Sequence, residues 1–306
     1  AMVEMTAQAS PLASLLAAKQ VNDKAVETSE VSDMIDKQCV AASFSAAAVN
    51  YDELAAIQKD VGAKLLQGIP PDQDYQFVAD VGCGTGWLTR KLRQCFPMAH
   101  LLGIDIAQGM IDYAIENRRV TADSWWVADM EALPIVSESL DLLYSNLAMQ
   151  WLPDPQYWFT EASRVLLPGG HLLCSTLLPG TLNELETCWN YADQQLHSGT
   201  KNAHINHFSS QTELMQAARA AGFEGNIVTY RDIQHHASVR KLMAELKGIG
   251  ANNLNSSRPR SVTSKGRIRL MLEHYEQFRT TNGYPATFEV ALLTLTKAIR
   301  LKKTNR

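Results

Sequence analysis

Val78-Ala79-Asp80-Val81-Gly82-Cys83-Gly84-Thr85-Gly86-Trp87 is the stretch that decides how this chain folds. An apolar run around one acid reads as a short strand; three alternate glycines break it, and a helical pattern begins at Trp87. Glycine tolerates positive φ and lets the backbone approach a ligand where any Cβ would collide. The helix that follows offers N–H groups at its first turn. Together these features build a site for a nucleotide-sized cofactor. The dinucleotide fingerprint G-x-G-x-x-G would place its third glycine at position 87, where Trp87 stands. Asp80 lies two residues before the first glycine, giving D-x-G-x-G-x-G. Read alone, the stretch leaves open a site with no diphosphate to hold, a dehydrogenase-type site, or a tight structural turn.

The 306 residues suit one large α/β domain with insertions, or two small domains, and can bury a sizeable core. Lys and Arg total 28 against 32 Asp and Glu, a net charge of −4, which argues against nucleic acid as a partner. Cys39, Cys83, Cys95, Cys174 and Cys188 show no C-x-x-C pairing, so neither a disulfide frame nor a zinc site is expected, and a reducing cytoplasm is. No apolar run approaches the roughly 20 residues needed to span a bilayer. Ala1 to Glu4 lack the basic start of a signal peptide. A monomer without membrane contact is expected.

Outward from the glycine turn, short apolar strands alternate with helical patterns. Strands are expected near 77–81, 100–105, 124–127, 139–144 and 170–176, with helices near 86–95, 108–118 and 155–166. This alternation predicts βαβ units and a mostly parallel sheet with helices on both faces. Further helices are expected at 182–196 and 209–220, strands at 226–233 and 287–296, and a helical insertion between those two strands. Ahead of the sheet, Phe44, Ala48, Tyr51, Leu54, Ile57, Val61 and Leu65 recur at helical spacing until Pro70-Pro71. Residues 1–38 read as a polar extension, 39–306 as one domain with a helical lid at about 44–66 and an insertion at about 237–285.

Asp105 closes the second expected strand, about 20 residues beyond the glycine turn, where a carboxylate accepts both hydroxyls of a ribose. The alternative is an N-cap for the helix near 108. Asn146 ends the fourth expected strand, at the crevice where open α/β sheets bind ligands.

The D-x-G-x-G-x-G form resembles motif I of the class I S-adenosylmethionine-dependent methyltransferases. That resemblance implies a Rossmann-like seven-stranded sheet closed by an antiparallel hairpin, with S-adenosylmethionine as cofactor. It implies further that Asp80, Gly82, Gly84 and Gly86 cradle the aminoacyl part. Asp105 and Ile106 then meet the ribose, and Asp129 and Met130 meet the adenine; a loop acid and a core methionine are the plainer reading of the last two.

A closer resemblance rests on Phe44-Ser45-Ala46-Ala47-Ala48-Val49-Asn50-Tyr51, Leu54-(x3)-Gln58, Ser145-Asn146-Leu147-Ala148-Met149-Gln150-Trp151, Asn206-His207-Phe208 and Leu246-Lys247-Gly248-Ile249-Gly250-Ala251. These are similar to the malonyl-[acyl-carrier-protein] O-methyltransferase family, which methylates the free carboxylate of a malonyl thioester at the start of biotin synthesis. The resemblance implies malonyl-acyl carrier protein or malonyl-CoA as substrate, Gln58 and Asn146 near the cofactor, and Tyr51 on a lid, bonding the substrate carboxylate. A carboxylate is already ionised at pH 7, so no general base or metal is needed.

One position departs from the family: Thr160 stands where an arginine would pair with the malonyl carboxylate. Lys247 or Arg231 is then expected to supply the charge, with Arg164 read as a structural helix end. His204, His207, His235 and His236 lack companions at ligand spacing, so no metal is expected. Arg258, Arg260, Lys265, Arg267 and Arg269 form either a solvated face or a docking patch for an acidic carrier. Two rivals remain: a methyltransferase of another small acid or quinone-like metabolite, and a non-catalytic binder of the cofactor.

Overall fold

The computed structural model describes residues 36–71, 73–117, 122–196, 205–250 and 264–299. Two helices come first, α1 (Lys37–Leu54) and α2 (Ala56–Leu66). The alternating region follows as β1 (Phe77–Val81), α3 (Trp87–Cys95), β2 (His100–Asp105), α4 (Gln108–Asn117), β3 (Ser124–Val127), β4 (Leu140–Asn146), α5 (Pro155–Val165) and β5 (Leu166–Leu177). The chain continues through α6 (Asn183–Gln195), α7 (Gln211–Ala220), β6 (Phe223–His236), α8 (Val239–Gly248), α9 (Lys265–Tyr275) and β7 (Tyr284–Lys297).

Seven strands form one sheet in the order β3-β2-β1-β4-β5-β7-β6. The first five are mutually parallel, and β7 runs antiparallel to both β5 and β6. This is the mostly parallel sheet that the sequence pattern predicts, closed by the hairpin that the methyltransferase resemblance implies. One face packs on α5 and α7 through Trp158, Phe159, Leu214 and Ala218, all buried. The other buries Leu65, Val78, Leu92 and Tyr144. The strands reverse order between β1 and β4, and that crevice is where such sheets bind ligands.

Three details differ from the sequence expectation. The segment expected as a lid is two helices: Ala55 (φ −86°, ψ 45°) leaves the helical region while its N–H still bonds the Tyr51 carbonyl at 2.8 Å. It begins at Lys37 because the Asp36 side chain accepts from the N–H groups of Gln38 and Cys39, an N-cap inside a stretch without apolar period. Strands β6 and β7 outrun their apolar cores because they pair continuously from Phe223–Lys297 to His236–Tyr284. Ladder bonds, unlike hydrophobic periodicity, need no alternation. Residues 251–263, which carry Ala251, Arg258 and Arg260, lie outside the described residues.

The lid sits tightly on its neighbours. A Cβ on Gly109 of α4 would approach the Ser45 carbonyl oxygen to 2.8 Å, and one on Gly248 of α8 would reach Leu54 Cδ1 at 2.3 Å. Ser45 Oγ accepts from Gly109 N at 3.1 Å, and Thr85 Oγ1 donates to Asp52 Oδ1 at 2.6 Å, fastening α1 to the glycine turn. No described helix is long and apolar enough to cross a membrane.

Candidate active site

The turn between β1 and α3 holds Gly82, Gly84 and Gly86 at φ of 74°, 54° and 75°, all in the left-handed region. Their surroundings differ. A Cβ on Gly82 would sit 2.4 Å from Ala148 Cβ, and one on Gly86 would sit 2.6 Å from Trp125 Cη2, so packing demands both glycines. A Cβ on Gly84 would meet only Tyr51 Cε1, at 3.9 Å. Gly84 therefore opens toward the lid, and Gly86 faces the core.

Asp105, at the end of β2, is held by two main-chain donors: Gly84 N to Oδ2 and Ala107 N to Oδ1, each 2.8 Å. Burial raises its pKa, and the N–H groups of Ala107, Gly84 and Ile106 oppose that rise. Asp80 lies beneath the turn, 1 % exposed, and accepts from Thr89 Oγ1 at 2.6 Å. Burial pushes it up to about 7 against the Thr89 bond, with Asp105 adding to the rise.

Two cavities meet under the lid. The first is walled by Gly82 and Gly84, by Asp105 and Ile106, by Asp129 and Met130 after β3, and by Asn146. The second is lined by Ile57 and Gln58 of α2, Leu182 and Leu185 at the start of α6, Asn206, and Leu246 and Ile249. Phe44, Tyr51, Leu147 and Trp151 belong to both walls. Phe44 meets Tyr51 and Trp151 edge-on, with ring centroids 6.4 and 5.4 Å apart. Burial raises the Tyr51 pKa, aided by the Asp105 and Asp52 carboxylates, so its hydroxyl stays protonated at neutral pH. A smaller cleft reaches Asp80 beside Thr85, Trp87 and Lys59.

Tyr51, Gln58, Asp80, Gly82, Gly84, Asp105, Ile106, Asp129, Met130 and Asn146 thus border one connected region. Gly86 shapes the turn from below. Lys247 is exposed on α8 and lines none of the three cavities, although its neighbours Leu246 and Ile249 do. Arg231 pairs with Glu289 at 2.6 Å on the outer strands. Arg164 binds Glu161 and the carbonyls of Leu133 and Ile135, a structural clamp. Thr160 is exposed and accepts from Gln156, so the departure from the family pattern falls outside the cavities. Among the described residues no cluster of three His, Cys, Asp or Glu is placed to hold a metal; His236 pairs with Glu245 at 2.7 Å.

Sequence reasoning missed Lys37. It heads α1, lines the first cavity, and bonds Asp129 at 2.6 Å and also Glu131. A lone lysine in a polar stretch carries no periodic signal. Leu147, part of the Ser145–Trp151 segment, carried no sequence sign of its backbone conformation; it holds φ at 48°, a strained value for a branched side chain, one residue past Asn146 in the wall of both cavities.

A methyltransferase domain family matches residues 79–174. The malonyl-[acyl-carrier protein] O-methyltransferase of Hahella chejuensis is 46% identical over 275 residues, covering 87% of this chain and 94% of that protein. The same-named protein of Methylococcus capsulatus is 38% identical, covering 84% and 93%. The biotin biosynthesis bifunctional protein BioHC of Cellvibrio japonicus is 37% identical, and the chain spans 51% of it. Among solved structures, the YcgJ protein of Bacillus subtilis aligns with a TM-score of 0.53 at 17% identity, covering 78% of this chain and 97% of that one, a likeness of fold. With nearly the full length of such relatives matched at this identity, the chain belongs to the malonyl-[acyl-carrier protein] O-methyltransferase family.

Proposed function

We propose that the protein transfers the methyl group of S-adenosylmethionine to the free carboxylate of malonyl-acyl carrier protein, the first step toward biotin. The observation that carries this reading is the placement of Tyr51, whose ring forms part of the wall between a glycine-lined cavity and an apolar one. The first cavity suits the cofactor. The Asp105 oxygens accept from Gly84 N and Ala107 N and keep further lone pairs for a ribose hydroxyl, while Met130 and Ile106 offer apolar wall beside Asp129. When bound, S-adenosylmethionine supplies a methyl on a positively charged sulfur: the carboxylate oxygen forms the new C–O bond, the C–S pair stays on sulfur, and no proton moves.

The chain's own contribution is to orient the acceptor and exclude water. Tyr51 supplies a protonated hydroxyl at the junction, and Phe44 and Trp151 share the wall there. The expected location is the cytoplasm, in line with five cysteines that form no disulfide, and the expected state is a monomer. Incubation with S-adenosylmethionine and malonyl-acyl carrier protein gives a methyl ester visible by mass spectrometry; no ester at any enzyme concentration overturns the reading. Running malonyl-CoA in parallel tells whether the carrier protein itself is needed.

A further inference from the structure

We propose that the acceptor carboxylate is received by neutral groups, the amides of Gln58, Gln150 and Asn206 with the hydroxyl of Tyr51, and by no cationic side chain among the described residues. This rests on the function proposed above and names how its substrate is recognised.

All four side chains line the second cavity, and among the described residues its wall contains no Lys, Arg, His, Asp or Glu; Thr181 is also in the wall, with its hydroxyl donating to the Glu289 carbonyl. The remainder is apolar, with Leu182, Leu185, Ile249 and Phe288 buried around it. Into this surface are set three amide oxygens, Gln58 Oε1, Gln150 Oε1 and Asn206 Oδ1, that are buried and meet no hydrogen-bond partner among the described residues. Folded proteins rarely leave buried polar atoms unsatisfied, and three buried amides with open positions on one cavity mark it as a site for a polar ligand. A half-turn of the Gln58 or Asn206 amide exchanges its oxygen for an NH2 donor, so these two adapt to a ligand that only accepts. Gln150 Nε2 already donates one hydrogen to the Leu147 carbonyl at 2.7 Å and keeps another.

The charge balance of the reaction explains why neutral donors serve. A carboxylate anion and a sulfonium cation become an ester and a thioether, both neutral. A guanidinium touching the carboxylate would bind its charge in the ground state and lose that interaction as the charge disappears, which lowers affinity for the transition state relative to substrate. Neutral amides orient the oxygen and surrender little, while the apolar wall strips its water.

The test compares malonyl-acyl carrier protein with propionyl-acyl carrier protein, which has the same acyl length without the charge. Both are titrated into the protein saturated with sinefungin, whose amine keeps a positive charge near the methyl position. The ratio of the two dissociation constants isolates the carboxylate from carrier docking. Wild type is expected to prefer the malonyl carrier. Asn206→Leu reduces that preference by about tenfold, the size of one hydrogen bond to a charged group, with propionyl-carrier and sinefungin affinities unchanged. Asn206→Asp reverses the preference, and Gln150→Arg tightens malonyl binding while lowering kcat. An undiminished malonyl preference in Asn206→Leu and in the Gln58→Leu/Gln150→Leu double variant overturns the cradle. Failure of wild type to form any methyl ester overturns instead the functional reading on which it stands.

Discussion

Asn146 Nδ2 donates to the main-chain carbonyl of Gln58 at 2.9 Å, tying the last residue of β4 to the third residue of α2. Ser175 Oγ donates to Asn146 Oδ1 at 2.8 Å and itself accepts from Leu147 N at 2.9 Å. One asparagine therefore links α2 to the sheet and, through Ser175, to the backbone N–H of Leu147, which lines both cavities. Asn146→Ala breaks two of these bonds and leaves buried Ser175 without its acceptor, an expected cost of about 1–3 kcal/mol. Urea denaturation measures that loss, and calorimetry with S-adenosylhomocysteine is expected to show weakened cofactor affinity alongside it.

Gly82 and Gly84 share a backbone conformation and differ in what faces them. Gly82→Ala adds collision with Ala148 to the left-handed strain of about 1–2 kcal/mol, so a lower melting temperature is expected. Gly84→Ala carries the strain alone and projects toward Tyr51. It is expected to fold, to melt only slightly lower, and to lose cofactor affinity. Thermal melts paired with cofactor titration separate the two; equal loss of stability in both variants contradicts the contrast.

Asp105→Asn removes a charge and one acceptor where two N–H groups, of Gly84 and Ala107, already converge. The amide satisfies one of them and faces the other with its own NH2. Cofactor affinity is expected to fall by at least about tenfold, equivalent to about 1.4 kcal/mol, with kcat less affected than KM for the cofactor.

Asp80 has a pKa raised to about 7 in the folded chain, so between its unfolded value of 3.8 and about 7 the folded state binds more protons than the unfolded state. Its contribution to stability is therefore greatest at the acid end and declines as pH rises, by up to about 1.4 kcal/mol per pH unit. Asp80→Asn still accepts from Thr89 and does not titrate. Its stability relative to wild type is expected to grow from pH 5 to pH 7 and level off above it. A difference that stays flat across that range, measured by denaturation at each pH, places the charge elsewhere.

Arg164 is expected to matter for stability alone. It bonds Glu161 and two carbonyls of the β3–β4 connection, away from both cavities. Arg164→Ala should cost about 1–3 kcal/mol and leave KM for both substrates near wild type; a large KM change with normal stability refutes the assignment.

Much of the fold was legible because its signals are local. Apolar runs, helical spacing and the glycine turn each report on the next few residues, so β1 to β5, the helices between them and the positions of Gly82, Asp105 and Asn146 follow from the sequence. What lay beyond it depended on contacts between distant segments. The break at Ala55 and the long β6–β7 ladder leave no periodic trace, and Lys37 meets Asp129 and Glu131 across more than ninety residues.

The sequence by itself determined the sheet class, the cofactor turn and the family resemblance, because each is written in residue types at short spacing. Only the tertiary structure decided which charged candidates reach the site. Lys247 and Arg231 both carried plausible chemistry as letters, yet helix phase turns Lys247 to solvent and Glu289 engages Arg231, while Thr160, where the family's arginine would stand, is itself exposed outside the cavities. A side chain's direction depends on what its helix packs against, and that is fixed only when the whole core has assembled.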